Sequence, residues 1–66
     1  MPDADAKLVQ FYTAFLPQIP QKRNDRPSDY CIRMYERGIA LFRRAGQPQL
    51  AQALELELAK IKAPKS

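Results

Sequence analysis

The chain of 66 residues has a formal charge of +4, one cysteine and no histidine. It is too short for more than one domain, the single cysteine excludes an intrachain disulfide, and the absence of histidine removes a usual zinc ligand. A chain of this size buries only about 60% of its surface on folding. We therefore expect it to rely on self-association or on a partner protein.

The sequence also bears on where the protein acts. Residues 1–6 are acidic rather than basic, and every apolar run is interrupted within a few residues. This pattern favours neither a targeting signal nor a membrane span, and a lone cysteine is typical of a reducing compartment. We expect a cytoplasmic protein with no membrane partner.

A first helix is predicted over about residues 4–16. Asp3 or Asp5 can cap its start. Pro17 ends it, because proline lacks an N–H and clashes with the preceding turn. The apolar residues recur at helical spacing and are predicted to share one face. They are Leu8, Val9, Phe11, Tyr12, Phe15 and Leu16.

A proline-rich linker is predicted over residues 17–27. Its three prolines cannot continue a helix, and Ile19 is its only aliphatic residue. Since the segment has too little apolar area for a strand, we expect an irregular linker in which Ile19 packs back onto the first helix.

The second helix is predicted over about residues 29–45, with Ser28 as N-cap and Gly46 as the left-handed residue that ends it. Gly38 lies within its apolar stripe, where glycine costs about 1 kcal/mol relative to alanine. This indicates either simple tolerance or, as we favour, the close approach of another helix. The stripe comprises Tyr30, Cys31, Met34, Tyr35, Gly38, Ile39, Leu41, Phe42 and Ala45.

The third helix is predicted over about residues 48–62, followed by a tail over 63–66. Pro48 fits its first position. Only Gly46 and Gln47 link it to the second helix, so we expect an antiparallel hairpin. The predicted fold is all-α, with a shorter N-terminal helix packed across this hairpin. The apolar stripe of the third helix comprises Leu50, Ala51, Leu54, Leu58 and Ile61.

Residues 38–54, which read GIALFRRAGQPQLAQAL, resemble the junction between helices in tetratricopeptide-type repeats. The resemblance covers about a quarter of the chain, and the tryptophan and tyrosine positions of the full repeat signature are not evident in it. It implies a helical hairpin that binds protein.

Residues suited to catalysis are scarce. No histidine is available as a base near neutral pH, and Cys31 falls on an apolar stripe, which predicts a buried thiol rather than a nucleophile. Gly38 and Gly46 are too far apart for a phosphate-binding loop. Glu55 and Glu57 point in different directions on their helix. We therefore expect no enzyme activity, no cofactor, no metal site and no small-molecule substrate.

A basic stripe on the second helix is the first candidate binding feature. Arg33, Arg37 and Arg44 fall within about 40° of one another, on the side opposite the apolar stripe. Arg43 lies nearby. Guanidinium groups in a row can bind phosphates or carboxylates. The alternative is a solvated face, in which Arg33 and Arg37 pair with Glu36 or with acidic residues of the third helix.

Surplus apolar side chains are the second candidate feature. Leu56 lies off the apolar stripe of the third helix, and Phe11 and Tyr12 crowd a helix of about three turns. Together with the arginines they form the predicted partner-binding set: Arg33, Arg37, Arg43, Arg44, Leu56, Phe11 and Tyr12.

These features favour a non-catalytic interaction module, such as a small adaptor, inhibitor or assembly factor, that docks on a larger protein or self-associates. The alternative is a small basic nucleic-acid-binding regulator that acts as a dimer and presents the arginines of the second helix to phosphates.

Overall fold

The described part of the chain is organised around one central helix. The computed structural model describes residues 2–63, with side chains from residue 4 onward. Its α-helices are α1 (Pro2–Phe15), α2 (Asp29–Arg44) and α3 (Pro48–Lys62). α2 and α3 form an antiparallel hairpin, and α1, the shortest at 14 residues, packs across α2. The predicted all-α fold is therefore confirmed. Residues 64–66 of the predicted tail lie outside the described residues.

α1 begins earlier than predicted. The helix already includes Pro2, so Asp5 lies inside it and is not its N-cap. Asp3, whose side chain lies outside the described residues, is also inside this helix and is not its N-cap. The α-helix ends before Pro17, and the chain passes into a 3₁₀ turn at Leu16–Gln18. This turn brings Ile19 into the core, where it is 5% exposed, and the predicted packing of Ile19 onto the first helix stays a prediction.

The linker contains a β-hairpin, which contradicts the prediction that it has too little apolar area for a strand. β1 (Lys22–Arg23) pairs antiparallel with β2 (Arg26–Pro27). Asn24 and Asp25 between them have φ angles of 55° and 65°. Two left-handed residues in a two-residue loop characterise the type I′ turn, and both residue types tolerate that conformation. The hairpin is therefore specified by its turn residues rather than by apolar burial.

Both ends of α2 are capped as predicted. The Ser28 hydroxyl accepts a backbone N–H of the first turn over 3.3 Å. At the other end Gly46 has φ 77°. Its N–H donates to the Arg43 carbonyl over 3.1 Å, and the Gln47 N–H donates to the Phe42 carbonyl over 2.7 Å. This pair of bonds is the Schellman motif, which reverses the chain into α3.

The core lies where α1, the 3₁₀ turn and α3 meet α2. Cys31 is fully buried, as predicted. Burial raises the pKa of its thiol above the ordinary value, because a thiolate would lose its hydration there. The buried apolar residues are Leu16, Ile19, Cys31, Tyr35, Ile39, Leu41, Phe42, Ala51, Leu58 and Ile61.

Four large residues of the predicted apolar stripes, among them the predicted partner-binding residue Phe11, are exposed. The exposed fractions are 41% for Leu8, 54% for Phe11, 52% for Tyr30 and 38% for Leu50. Periodicity gives the direction of a stripe but not the width of the contact that covers it. In this small fold the helices are packed on too few sides to cover the outer edges of their stripes.

Gly38 is a point of close approach between the elements. A Cβ atom added there would lie 3.0 Å from Leu16 Cδ1, 3.2 Å from Tyr12 Cδ2 and 3.3 Å from Leu54 Cδ1. These atoms come from the 3₁₀ turn, α1 and α3. The predicted close approach is confirmed, and it involves two helices as well as the turn.

Replacing Gly38 with alanine is expected to destabilise the protein. The new methyl group overpacks the contact, which lowers the free energy of unfolding by about 1–3 kcal/mol. The higher helix propensity of alanine raises it by only about 1 kcal/mol. Urea unfolding of Gly38→Ala should show a net loss of about 1 kcal/mol. Ala40→Gly, at an exposed position of the same helix, measures the propensity term alone. Close packing would be contradicted if Gly38→Ala gained as much stability as Ala40→Gly loses.

The thiol of Cys31 is expected to react slowly. Because it is fully buried with a raised pKa, native labelling requires the protein to open. The rate at pH 8 should be about 100-fold or more below the rate in denaturant. The double variant Cys31→Ala/Leu56→Cys, whose thiol is exposed, serves as the control and should label rapidly. Equal native rates for the two proteins would place Cys31 at the surface.

Candidate interaction site

α1 carries two adjacent apolar lines. At about 100° per residue, the inner line faces α2 and consists of Val9 and Tyr12, and Leu16 continues it in the 3₁₀ turn. The outer line follows spacings of four, three and four residues. It consists of Ala4, Leu8, Phe11 and Phe15. Leu8 and Phe11 in this line are exposed, whereas Phe15 is half-buried and packs against the core.

The three aromatic rings of α1 form one cluster. Phe11 stacks on Phe15, with ring centroids 5.2 Å apart and 19° between the planes. It also meets Tyr12 edge-on, at 5.6 Å and 76°. Such pairs hold aromatic rings in defined positions. The exposed ring of Phe11 is therefore fixed beside Tyr12 rather than free to fold away.

A groove of about 340 Å³ separates α1 from α2. Its floor is apolar, and both of its charged side chains are arginines of α2. We call this the α1–α2 groove. Phe11 is not a lining residue, but its ring contacts that of Tyr12, which is one. The groove is lined by Leu8, Tyr12, Arg37, Ala40, Leu41 and Arg44.

A second cleft, of about 310 Å³, lies between α1 and α3. Tyr35 lines this cleft. Burial is the main cause that raises the pKa of its phenol, and Cys31 and Glu57 nearby raise it further. The phenol therefore stays neutral at physiological pH. The apolar lining of this cleft comes mainly from Tyr12, Leu16, Tyr35, Phe42, Leu50 and Leu54.

The arginines of α2 differ in their ion pairs. Arg43 pairs with Glu55 across the hairpin, and Arg44 lies 3.3 Å from Asp5 of α1. Among the side chains of residues 4–63, neither Arg33 nor Arg37 takes part in an ion pair. The predicted pairing of these two with Glu36 or with α3 is therefore wrong, since it is Arg43 that reaches α3. Both are exposed, so the alternative of a solvated face stays open.

The predicted partner-binding residues do not all come together. Tyr12, Arg37 and Arg44 line the α1–α2 groove, and the ring of Phe11 contacts that of Tyr12. Arg33 lies beside the β-hairpin instead. Leu56 is 62% exposed, on the side of α3 opposite the core. That any of these residues binds a partner remains a prediction.

Sequence reasoning missed Leu8 and Ala40 as lining residues of the groove. The signal for Leu8 was present, because the 4-3-4 spacing of the outer line is that of a helix-packing seam. Ala40 could not be found in this way, since it matters only because α1 lies beside it.

Comparison with protein-family models, with curated proteins and with solved structures gave no significant match. Within the described residues, no helix is both long enough and apolar enough to cross a membrane. The same part of the chain has no cluster of three or more side chains suited to hold a metal ion.

The groove arginines are expected to be dispensable for folding. Arg37 and Arg44 are exposed, and exposed ion pairs such as that of Arg44 contribute about 1 kcal/mol or less. Arg37→Gln/Arg44→Gln should keep the helical circular dichroism and lose at most about 1 kcal/mol of stability in urea. A variant that unfolds would show that these arginines hold α1 in place.

Proposed function

We propose that this protein is a non-catalytic interaction module that binds an acidic amphipathic helix of a larger protein in the α1–α2 groove. The observation that carries the proposal is the composition of the groove. It combines an apolar floor with Arg37 and Arg44 as its charged side chains. Apolar burial provides affinity, and guanidinium groups select carboxylates on the partner.

The outer line of α1 supports a helix as the bound element. Helices that dock in grooves place apolar anchors three and four residues apart. Leu8 and Phe11 are exposed at 41% and 54% and lie in a line with the same spacing. Aromatic residues and arginine are enriched at interfaces, and both border this groove.

A second copy of the chain fits the groove less well than an acidic partner. Each copy has a formal charge of +4, and a groove-to-groove dimer would bring the arginines of both copies together. Like charges at an interface oppose association.

The lone, buried Cys31 supports action in the cytoplasm, where thiols stay reduced.

Two designed peptides test this proposal. Each has about 18 residues and leucines at helical spacing, flanked by glutamates in one and by lysines in the other. In fluorescence anisotropy the glutamate peptide should bind about fivefold more tightly. Arg37, which has no ion pair within residues 4–63, gains a guanidinium–carboxylate contact of up to about 1 kcal/mol, whereas Arg44 already pairs with Asp5. Arg37→Gln/Arg44→Gln should abolish this preference.

Single substitutions locate the bound peptide. Leu8→Gln and Phe11→Gln should weaken both peptides, because they remove apolar contact area. Leu56→Gln is the matched control and should weaken neither. Equal binding of the two peptides, or a loss with Leu56→Gln as large as with Phe11→Gln, would rule out the groove as the docking site.

A further inference from the structure

The β-hairpin and the first turns of α2 enclose a second basic site. A pocket of about 610 Å³ lies between them, and we call it the hairpin pocket. Its charged lining consists of three guanidinium groups, from Arg23, Arg26 and Arg33, and one carboxylate, from Asp29. Within residues 4–63, no ion pair involves any of the three arginines. The pocket therefore has a net positive charge that the described residues leave uncompensated.

The register of the hairpin places two of these charges together. Arg23 and Arg26 are directly opposed in the ladder, and directly opposed residues share one face of a β-ribbon. Like charges in this position destabilise a hairpin. The pair is locally unfavourable, and an anion held between the two side chains would offset the repulsion.

An exposed aromatic ring completes the pocket. Tyr30 is 52% exposed and lines the pocket together with Arg33. The two residues are three apart on α2, so they are neighbours on its surface. An aromatic face beside arginines suits a strand of unpaired nucleotides, whose bases stack while their phosphates contact guanidinium groups.

We propose that the hairpin pocket binds single-stranded nucleic acid, with phosphates on Arg23, Arg26 and Arg33 and a base stacked on Tyr30. This activity goes beyond the proposed docking of an acidic helix and uses different side chains. A small anion has no group to stack on Tyr30. Duplex bases are already stacked on one another and leave no free face for the ring.

The test is fluorescence anisotropy with a labelled oligothymidylate of about 12 nucleotides, at about 50 to 200 mM salt. Arg23→Gln/Arg26→Gln should weaken binding about tenfold at the lowest salt. It should also reduce the slope of log K against log salt by about 1.4, or 0.7 for each lost phosphate contact. Tyr30→Ala should weaken binding about fivefold or more without changing the slope, and Tyr30→Phe should bind like the wild type.

Controls separate this proposal from the other one. Arg37→Gln/Arg44→Gln, which alters the α1–α2 groove, should bind the oligonucleotide within about twofold of the wild type at the highest salt, where long-range charge effects are screened. Circular dichroism confirms that each variant is folded. Wild-type protein that does not bind, binding unchanged in the Arg23/Arg26 variant, or a duplex of equal length that binds as tightly would each overturn the proposal. None of these results bears on the peptide experiment, because the two sites share no lining residue.

Discussion

The contact at Gly38 determines how the three helices are arranged. Side chains of α1, the 3₁₀ turn and α3 all come within 3.3 Å of the place where a Cβ would be. Since interiors are close-packed, a larger residue fits there only if the side chains of Leu16, Tyr12 or Leu54 shift. The same contact holds α1 against α2, and this in turn sets the α1–α2 groove. A residue without a side chain thus determines the shape of a surface that it does not itself line.

A protein this small stabilises its fold through local devices as much as through its core. The core consists of about ten buried apolar residues, and a single core in a chain of this length rarely supplies more than about 3–5 kcal/mol. The Ser28 cap, the Schellman motif at Gly46 and the turn at Asn24 and Asp25 each satisfy or direct the backbone at a helix end or reversal. Against so small a total, full burial of Leu8 or Phe11 would contribute about 1.5–3 kcal/mol each. Leu8 and Phe11 are already about half buried, so only part of this stabilisation is unrealised in the isolated chain, and exposed apolar side chains are normal on a folded surface.

Residues that fix backbone geometry made much of the fold predictable from sequence. Ser28, Gly46 and Pro48 mark helix ends by their own chemistry, and the helix bounds agree within about two residues. The small apolar area of the linker argues against a strand, so it does not predict the β-hairpin. The preference of Asn24 and Asp25 for left-handed turn positions does indicate a hairpin. Tyr30 belongs to the apolar stripe by its spacing, but it is exposed, because periodicity does not indicate how wide a helix contact is. The sequence pattern therefore does not predict an aromatic ring at the surface beside Arg33. The grouping of the site residues depends on which element packs beside α2, and no local pattern contains that information.

The basic stripe shows how packing divides a regular pattern into separate surfaces. Arg33, Arg37 and Arg44 share one side of α2, and the helix alone makes them equivalent. The hairpin folds back beside the first turns of α2, so Arg33 joins Arg23 and Arg26 there. α1 runs along the later turns, so Arg37 and Arg44 face apolar side chains and Arg44 meets Asp5. Arginine thus borders a polar, charged pocket near the start of the helix, through Arg33, and an apolar groove farther along it, through Arg37 and Arg44. Because a guanidinium group binds phosphates and carboxylates alike, the neighbours contributed by other elements decide which anion each arginine suits.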